Sequence, residues 1–349
     1  MGNQVYHGAV SLNGLYVAGD VFSAQGPTTM TGPVSVSGGD ITFDGSIDST
    51  PAAGYPLTLL PGDGKTASLN GDVGVSNPLG GLTVQATSHG SATVLAPKYV
   101  ALSGDLGFSA DVGLCIGNGV TAKVTGGGVI RQFSDSGVVI EESPSSVIDG
   151  LAISTNGRDG IQINGATNPQ VTNNVVLGNG TAGIDLVNTD GATVSSNTVL
   201  NNVGAGVIVD AGTGNAILSN SISANGGTGG LGISLTNGGN HNQPSPQVNS
   251  VTLNPTLPTV TVDATIVSKP DYSGTFTVQV FYSPAGGTTA VQGQHLLYQE
   301  GSVAAGDVQL SFQIPATVAA PGFITVTATP DTGPKDTSEF SNAVAIPAT

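Results

Sequence analysis

The tetrapeptide Gly160-Ile161-Gln162-Ile163 returns 23 residues later as Gly183-Ile184-Asp185-Leu186. Glycine, an aliphatic residue, a variable residue and a second aliphatic residue fill the same four places in each copy. The pattern begins at six glycines, spaced 24, 23, 23, 23 and 26 residues apart: Gly113, Gly137, Gly160, Gly183, Gly206 and Gly232. A fixed period of this length is typical of repeat architectures, and we therefore predict a solenoid.

Asparagines follow the same period. One series is Asn174, Asn197 and Asn220, and a second is Asn156, Asn179, Asn202 and Asn225. Asparagine tolerates left-handed backbone at corners, and stacked asparagine side chains can hydrogen-bond along a ladder. We predict one coil of a β-solenoid per repeat, with a structural ladder formed by these asparagines and by the glycines Gly137, Gly160, Gly183 and Gly206.

Each repeat glycine is followed by a short alternating strand. Strands of successive coils pair in register about 4.8 Å apart, so the first and third residues after the glycine should stack inward as aliphatic ladders. The second residue should point outward, as at Gln162 and Asp185. Leucine-rich repeats have a similar length, but their leucine frame is absent here.

Residues 1–110 are less regular but show related spacings. Ile41-Thr42-Phe43 recurs as Ala67-Ser68-Leu69, offset by 26, and Pro56-Leu57-Thr58-Leu59 recurs as Gly81-Leu82-Thr83-Val84, offset by 25. We interpret this region as earlier, longer coils of the same solenoid. A separate β domain is the alternative.

The 23-residue period stops near residue 240. Longer alternating strands follow at Thr259–Val267, Gly274–Tyr282, Val308–Ile314 and Phe323–Thr329. Aromatic residues, rare before, accompany them, which indicates a C-terminal β-sandwich that covers the open end of the solenoid. We predict an all-β protein with three parts: irregular early coils at 1–110, a regular parallel β-helix of about 23 residues per coil at 111–243, and a sandwich at 244–349.

The coils at 113–235 resemble the right-handed parallel β-helix repeats of the pectin-lyase-like superfamily. The C-terminal part, which closes with Ile324–Asp331 and Asp336–Ser341, looks like the immunoglobulin-like unit that follows a β-helix in large bacterial exported surface proteins. Residues 41–84 are similar to repeats of filamentous adhesins and autotransporter passengers. Gly238–Gln247 departs from the acidic linker common in that unit, which removes an argument for a calcium site.

The composition excludes several functions. Only 9% of the residues are charged and the net charge is −16, which argues against nucleic acid and anionic membrane surfaces. No apolar run approaches the roughly 18–20 residues of a transmembrane helix, and the first residues show no signal peptide. The single Cys115 excludes an internal disulfide, and the four histidines are scattered, so we expect no metal site and no cofactor.

Candidate catalytic groups are few. Arg158 and Asp135 each lie two residues before a repeat glycine, so they should stack on neighbouring coils as an exposed ion pair. Arg158 with Asp159 and Asp135 is the weak catalytic alternative. Glu141 and Glu142 are adjacent and should point to opposite sides of a strand, so no carboxylate pair for glycoside hydrolysis emerges.

These observations favour a non-catalytic, structural and adhesive segment of a bacterial exported protein, located outside the cell. Its partners would be itself, through end-to-end or lateral assembly, or surface glycans or proteins. The alternative is a polysaccharide-acting enzyme (a lyase, an epimerase or a hydrolase) with its site on one β-helix face. The low charge has a structural reason, because like charges stacked on successive coils destabilise the fold.

Overall fold

A computed structural model describes residues 2–62, 65–85, 94–95, 100–103, 112–117, 120–125, 127–227, 230–254, 259–285, 291–313 and 321–347. The chain divides into two compact units, Met1–Gly180 and Thr181–Thr349. Among the described residues, no helix has the length and apolar character needed to cross a membrane. The predicted boundary between residues 110 and 111 lies outside the described residues, and the three-part division stays a prediction.

The first unit consists of short strands joined by tight turns. In chain order they are β1 (Gln4–Tyr6), β2 (Val10–Val17), β3 (Val21–Ala24), β4 (Thr28–Gly38), β5 (Asp40–Phe43), β6 (Ile47–Ser49), β7 (Pro56–Pro61), β8 (Ala67–Leu69), β9 (Gly81–Gln85), β10 (Val94–Leu95), β11 (Val100–Ser103), β12 (Leu114–Gly117), β13 (Ala122–Val124), β14 (Gly128–Arg131), β15 (Val138–Glu141), β16 (Val147–Asp149), β17 (Ala152–Ser154), β18 (Ile161–Asn164), β19 (Gln170–Thr172) and β20 (Val175–Leu177).

These strands form three sheets. Their orders are β1-β3-β5-β8-β10-β13-β16-β19, β2-β4-β7-β9-β12-β15-β18 and β11-β14-β17-β20, with β6 also paired to β4. The pairs are parallel; Val138 of β15, for example, lies in register with Ile161 of β18. The predicted all-β parallel solenoid with about 23 residues per turn is confirmed.

The aliphatic ladders lie inside as predicted. Val138, Ile140, Ile161 and Ile163 are fully buried, because alternate residues of a strand point to opposite faces. The second residue after the repeat glycine was expected to point outward. Gln162 is partly exposed as expected, but Val139, its neighbour in register, is only 6% exposed.

The early strands pair at the offsets read from the sequence. Ile41 lies opposite Ala67 in the β5–β8 pair, and Leu57 lies opposite Leu82 in the β7–β9 pair. Both pairs are parallel, so the described strands of this region form coils of the solenoid. Aromatic packing, with the rings of Phe22 and Phe43 5.3 Å apart, fills the interior of the first coils.

Buried asparagines bond from coil to coil. In the first unit, the backbone N–H and the Nδ2 of Asn156 both donate to Oδ1 of Asn179, at 3.1 and 2.9 Å. In the second unit, Asn202 makes the same two bonds to Asn225, at 3.0 and 2.9 Å. Each ladder asparagine thereby satisfies a backbone group that the corner would otherwise leave unpaired.

The left-handed residue at these corners is not the ladder asparagine but the residue before it. Thr155 (φ 53°) precedes Asn156, and Ala224 (φ 55°) precedes Asn225. The same holds before the other ladder asparagines, at Asn173, Gly178, Ser196, Asn201 and Ser219. The sequence therefore located the corners correctly but assigned the left-handed backbone to the wrong residue.

The repeat glycines leave no room for a side chain. A Cβ at Gly137 would lie 2.6 Å from Nδ2 of Asn156, and one at Gly183 would lie 2.4 Å from Cγ1 of Val199. Such distances are below van der Waals contact, so these corners require glycine because neighbouring groups pack directly against the Cα.

The second unit begins with further short strands and ends with longer ones. The short strands are β21 (Ile184–Val187), β22 (Thr193–Ser195), β23 (Thr198–Leu200), β24 (Val207–Asp210), β25 (Ala216–Leu218), β26 (Ser221–Ser223) and β27 (Ile233–Thr236), followed by a short 3₁₀ segment, Gly239–Asn242. The later strands are β28 (Gln247–Leu253), β29 (Thr259–Ile266), β30 (Phe276–Pro284), β31 (His295–Val303), β32 (Gly306–Gln313), β33 (Gly322–Pro330) and β34 (Val344–Ala345).

The later strands form two antiparallel sheets, β28-β29-β32 and β31-β30-β33-β34. Their shared core contains Val260, Val262, Phe276, Val278 and Val326. The four predicted strands exist within two residues of their expected ends, except that Ile314 lies outside the described residues. An immunoglobulin-like topology stays a prediction.

The loop before β31 bonds to the last coil of the same unit. The backbone N–H of Ile222 donates to the carbonyl of Gly293 at 2.8 Å. Oε1 of Gln292 accepts from the backbone N–H and Nδ2 of Asn225, at 3.3 and 3.1 Å. Gln292 thus accepts from Asn225 the same two hydrogen bonds that Asn225 accepts from Asn202. This asparagine ladder therefore ends at Gln292.

Candidate functional site

The three residues of the weak catalytic alternative lie on the coils of the first unit. Nη1 of Arg158 lies 3.6 Å from Oδ1 of Asp135, and these side chains are 55% and 23% exposed. Asp159 is buried, at 4% exposed, so its carboxylate is not open to a substrate. The geometry is that of the predicted surface ion pair, and a catalytic role for the three residues stays a prediction.

Cys115 lies on the outer face of β12, next to β15. Burial, and to a smaller extent the charge of Glu141, raise the pKa of its thiol. A raised pKa keeps the sulfur protonated and weakens it as a nucleophile. In the part of the chain that the structure describes, no group of three or more His, Cys, Asp or Glu side chains is placed to hold a metal ion.

A different set of side chains meets where the chain leaves the last coil. The exit turn after β27 holds Asn240, His241 and Asn242 in left-handed backbone, with φ of 47°, 48° and 50°. A non-glycine residue in this region costs roughly 1–2 kcal/mol, and such strain persists only where the surroundings enforce it.

Asn240 enforces the exit turn. Its side chain is fully buried, and its Oδ1 accepts from the backbone N–H of Asn215 at 3.0 Å. Its Nδ2 donates to the carbonyls of Asn215 and Thr337, at 2.8 and 3.0 Å. The solenoid's coil-to-coil asparagine bonding therefore fixes the backbone from which His241 projects.

Asp336 lies between β33 and β34 and is only 2% exposed. Its Oδ1 accepts from the backbone N–H of Gly214 at 2.6 Å. Its Oδ2 lies 2.6 Å from Nζ of Lys269 and 2.7 Å from Nδ1 of His241. Burial raises the pKa of Asp336, but the hydrogen bonds from Lys269, Gly214 and His241 and the charge of Lys269 outweigh it, so the pKa is lowered.

The ionised carboxylate of Asp336 sets the tautomer of His241. Because a carboxylate only accepts hydrogen bonds, Nδ1 of His241 carries a proton. In the neutral ring Nε2 is then an acceptor, and the side chain is 51% exposed. A histidine oriented in this way by a buried carboxylate is the usual arrangement of a general base.

His241, Lys269 and Asp336 line a cleft of about 570 Å³, within the usual range for small-molecule sites. The other lining residues are Asn242, Gln243, Pro244, Pro270, Asp271, Tyr272, Pro330 and Pro334. The Tyr272 hydroxyl donates to the carbonyl of Thr275 at 2.7 Å, and its ring packs 5.1 Å from that of Phe276. The tyrosine is therefore a fixed wall of the cleft.

Sequence reasoning missed this site. It treated the histidines as scattered and gave Lys269 no role, because His241, Lys269 and Asp336 lie outside the repeats. One signal was available: the run Asn237–Asn242 is made of asparagine, glycine and histidine, a composition that predicts left-handed backbone directly at a histidine.

The family comparison identifies the solenoid. Residues 113–256 match the family model described as "Right handed beta helix region". The match covers less than half of the chain, and it supports a right-handed β-helix for the coils that lie within residues 113–256. A search of curated proteins finds no match.

The solved structures that the chain matches include two kinds of protein. One is the periplasmic alginate epimerase AlgG, at 15% identity and a TM-score of 0.25 over 64% of this chain and 77% of that chain. Another is the enzymatically active domain of tailspike protein 2 from bacteriophage CBA120, at 8% identity and a TM-score of 0.33 over 93% of this chain and 72% of that chain. At these identities and TM-scores the likeness by itself establishes nothing about this chain.

The first expectation about function is corrected by these comparisons. A non-catalytic adhesive stalk was expected, but the related structures are an epimerase and a phage domain described as enzymatically active. That expectation rested on the scarcity of charged groups, whereas His241, Lys269, Asp271 and Asp336 all line one cleft.

Proposed function

We propose that this chain is an enzyme that acts on a polysaccharide and that its reaction centre is the cleft at His241. The observation that carries the proposal is the contact of Nδ1 of His241, at 2.7 Å, with the buried, ionised carboxylate of Asp336. This contact leaves Nε2 to take a proton from water or from a sugar carbon. Asp336 orients the ring and stabilises the imidazolium that then forms.

Lys269 would hold the base in place. Its ammonium shares Oδ2 of Asp336 with His241 and also donates to the carbonyl of Asn240 at 3.4 Å. It therefore joins the loop after β29, the exit turn and the segment before β34. In this role Lys269 is a positioning residue.

The walls of the cleft support a sugar substrate. Tyr272 and four prolines present flat apolar surfaces, and Asn242 and Gln243 contribute amides. Such a mixture suits a sugar, whose ring has an apolar C–H face and a rim of hydroxyls. An exported location is part of the proposal, because bacterial surface polysaccharides lie outside the cell.

The test is turnover of a panel of neutral and uronate polysaccharides, measured as new reducing ends and new unsaturated ends. The key variant is His241→Asn, because asparagine tolerates the left-handed backbone at this position. Loss of a general base should lower the rate by about 10²–10⁴-fold. The control is His7→Ala, at an exposed histidine of the first unit that contacts Gln25 at 2.8 Å.

Unchanged turnover in His241→Asn would remove the proposed reaction centre. Turnover lost equally in Arg158→Ala, with the fold intact, would move the centre to the coils of the first unit. Circular dichroism and melting temperature of each variant exclude loss of fold as the cause.

A further inference from the structure

The charges around the cleft do not suit an acidic sugar. The ammonium of Lys269 lies 2.6 Å from Oδ2 of Asp336, so its charge is already compensated. Among the residues that line the cleft, the other ionisable groups besides tyrosine are His241 and the exposed carboxylate of Asp271. A uronate entering the cleft would therefore meet the carboxylate of Asp271, with no uncommitted lysine or arginine among the lining residues, and the chain's net charge of −16 would add repulsion.

Gln243 supplies an acceptor that a hydroxyl can satisfy. The residue lines the cleft and is only 2% exposed. Its Nε2 donates to the carbonyl of Val267 at 3.3 Å, but its Oε1 accepts no hydrogen bond from the described residues. A buried acceptor without a donor is unfavourable. That oxygen is itself buried, so a sugar hydroxyl would reach it once the Gln243 side chain turned towards the cleft. A hydroxyl could then donate to it, whereas a carboxylate could not.

The apolar walls fit the face of a pyranose ring. The Tyr272 ring is held by its hydroxyl bond to Thr275 and by its edge contact with Phe276. Pro244, Pro270, Pro330 and Pro334 line the same cleft, and rigid proline rings lose little freedom when a ligand packs on them.

We infer that the cleft binds an uncharged sugar ring, with the ring against Tyr272 and the prolines and a hydroxyl directed to Oε1 of Gln243. This inference rests on the proposed function and narrows its substrate to neutral polysaccharides. A neutral sugar has no carboxylate to acidify a ring C–H bond, so the reaction would be hydrolysis. Nε2 of His241 would take a proton from water, the water oxygen would bond to the anomeric carbon as the glycosidic C–O bond breaks, and the imidazolium would return the proton to the departing oxygen.

The experiment measures binding, separately from turnover, by calorimetry and saturation-transfer NMR on the full chain. The probes are neutral hexasaccharides of glucose, mannose and galactose and uronate hexasaccharides of equal length. We expect at least one neutral series to bind about tenfold or more tightly than the uronates. Tyr272→Ala should weaken that binding by about tenfold, and Gln243→Met should weaken it by a similar factor.

Two controls separate the causes. Tyr272→Phe keeps the ring and should retain binding, whereas His241→Asn should retain most of the binding while turnover is lost. Tighter binding of uronates than of neutral sugars would overturn the inference and leave the proposed enzyme standing. Neutral binding that depends on Tyr272, without turnover of any glycan, would support the sugar site and overturn the proposed reaction. No binding of either class would overturn the inference.

Discussion

Nδ1 of His241 lies 2.7 Å from Oδ2 of Asp336, a carboxylate that is 2% exposed and 95 residues away in sequence. The first residue belongs to a strained exit turn of the β-helix, and the second belongs to the segment between β33 and β34 of the same unit. The contact therefore joins the exit turn to the segment between β33 and β34.

Asp336→Asn should destabilise the protein strongly. The change removes the negative charge that compensates the ammonium of Lys269, whose side chain is 22% exposed. Breaking a buried ion pair lowers the free energy of unfolding by about 3 kcal/mol or more. For a unit of this size the melting temperature should fall by about 6–12 °C. Asp271→Asn, at an exposed carboxylate of the same cleft, should change the free energy of unfolding by less than about 0.5 kcal/mol.

The contribution of Asp336 should depend on pH in one direction. Its pKa is lowered in the folded state, so the unfolded state binds the proton more tightly. The stabilisation is complete above the unfolded value of about 3.9 and is lost as the pH falls through the lower folded value. The melting temperatures of the native chain and Asp336→Asn should therefore converge below about pH 4. A gap that is constant from neutral pH to pH 2 would contradict the assignment.

Asn156→Ala should test the asparagine ladder. Asn156 accepts from the backbone N–H of Phe133 at 3.2 Å and donates through Nδ2 to Asn179 at 2.9 Å. Removing the amide leaves buried partners unsatisfied and should cost about 2–4 kcal/mol in urea unfolding. Asn70→Ala is the matched control, because Asn70 bonds Asp44 at 2.8 Å on an exposed surface. Equal losses in the two variants would show that the ladder adds no particular stability.

Gly183→Ala should be costly for a steric reason. The added Cβ would lie 2.4 Å from Cγ1 of Val199 and 2.7 Å from the carbonyl oxygen of Gly206. Overpacking of this kind costs about 1–3 kcal/mol, measurable as a lower denaturation midpoint. At Gly301 the nearest atom to such a Cβ is Oγ1 of Thr277 at 3.9 Å, so Gly301→Ala should be nearly neutral. A neutral Gly183→Ala would mean that the corner can move.

The solenoid was predictable because its information repeats. A single tetrapeptide such as Gly160–Ile163 reveals little. Six copies of its pattern at a near-constant spacing identify the period and the inward residues, and the asparagines that share this period identify the ladder. The offset of 26 between Ile41 and Ala67 predicted a strand pair in the same way.

The cleft was not predictable by such means. Lys269 and His241 contact Asp336 although they lie 67 and 95 residues away from it in sequence. None of the three belongs to a repeated pattern, and each lies in a loop or turn. Nothing in the pattern of one loop indicates the position of another, since that position follows from how the antiparallel strands pack on the last coil. The left-handed turn at Asn240 was the one local feature that the sequence could have indicated.

The position of Gln292 at the end of the asparagine ladder determines how the protein can tolerate a change in the number of coils. The Gln292 amide accepts from Asn225 the same two hydrogen bonds that an asparagine of the next coil would accept. At this contact Gln292 therefore takes the place of a further coil. Duplication or deletion of whole 23-residue segments upstream would leave that junction unaltered, provided that the final coil kept its asparagine. A change in the number of upstream coils should therefore leave the contacts of the cleft in place.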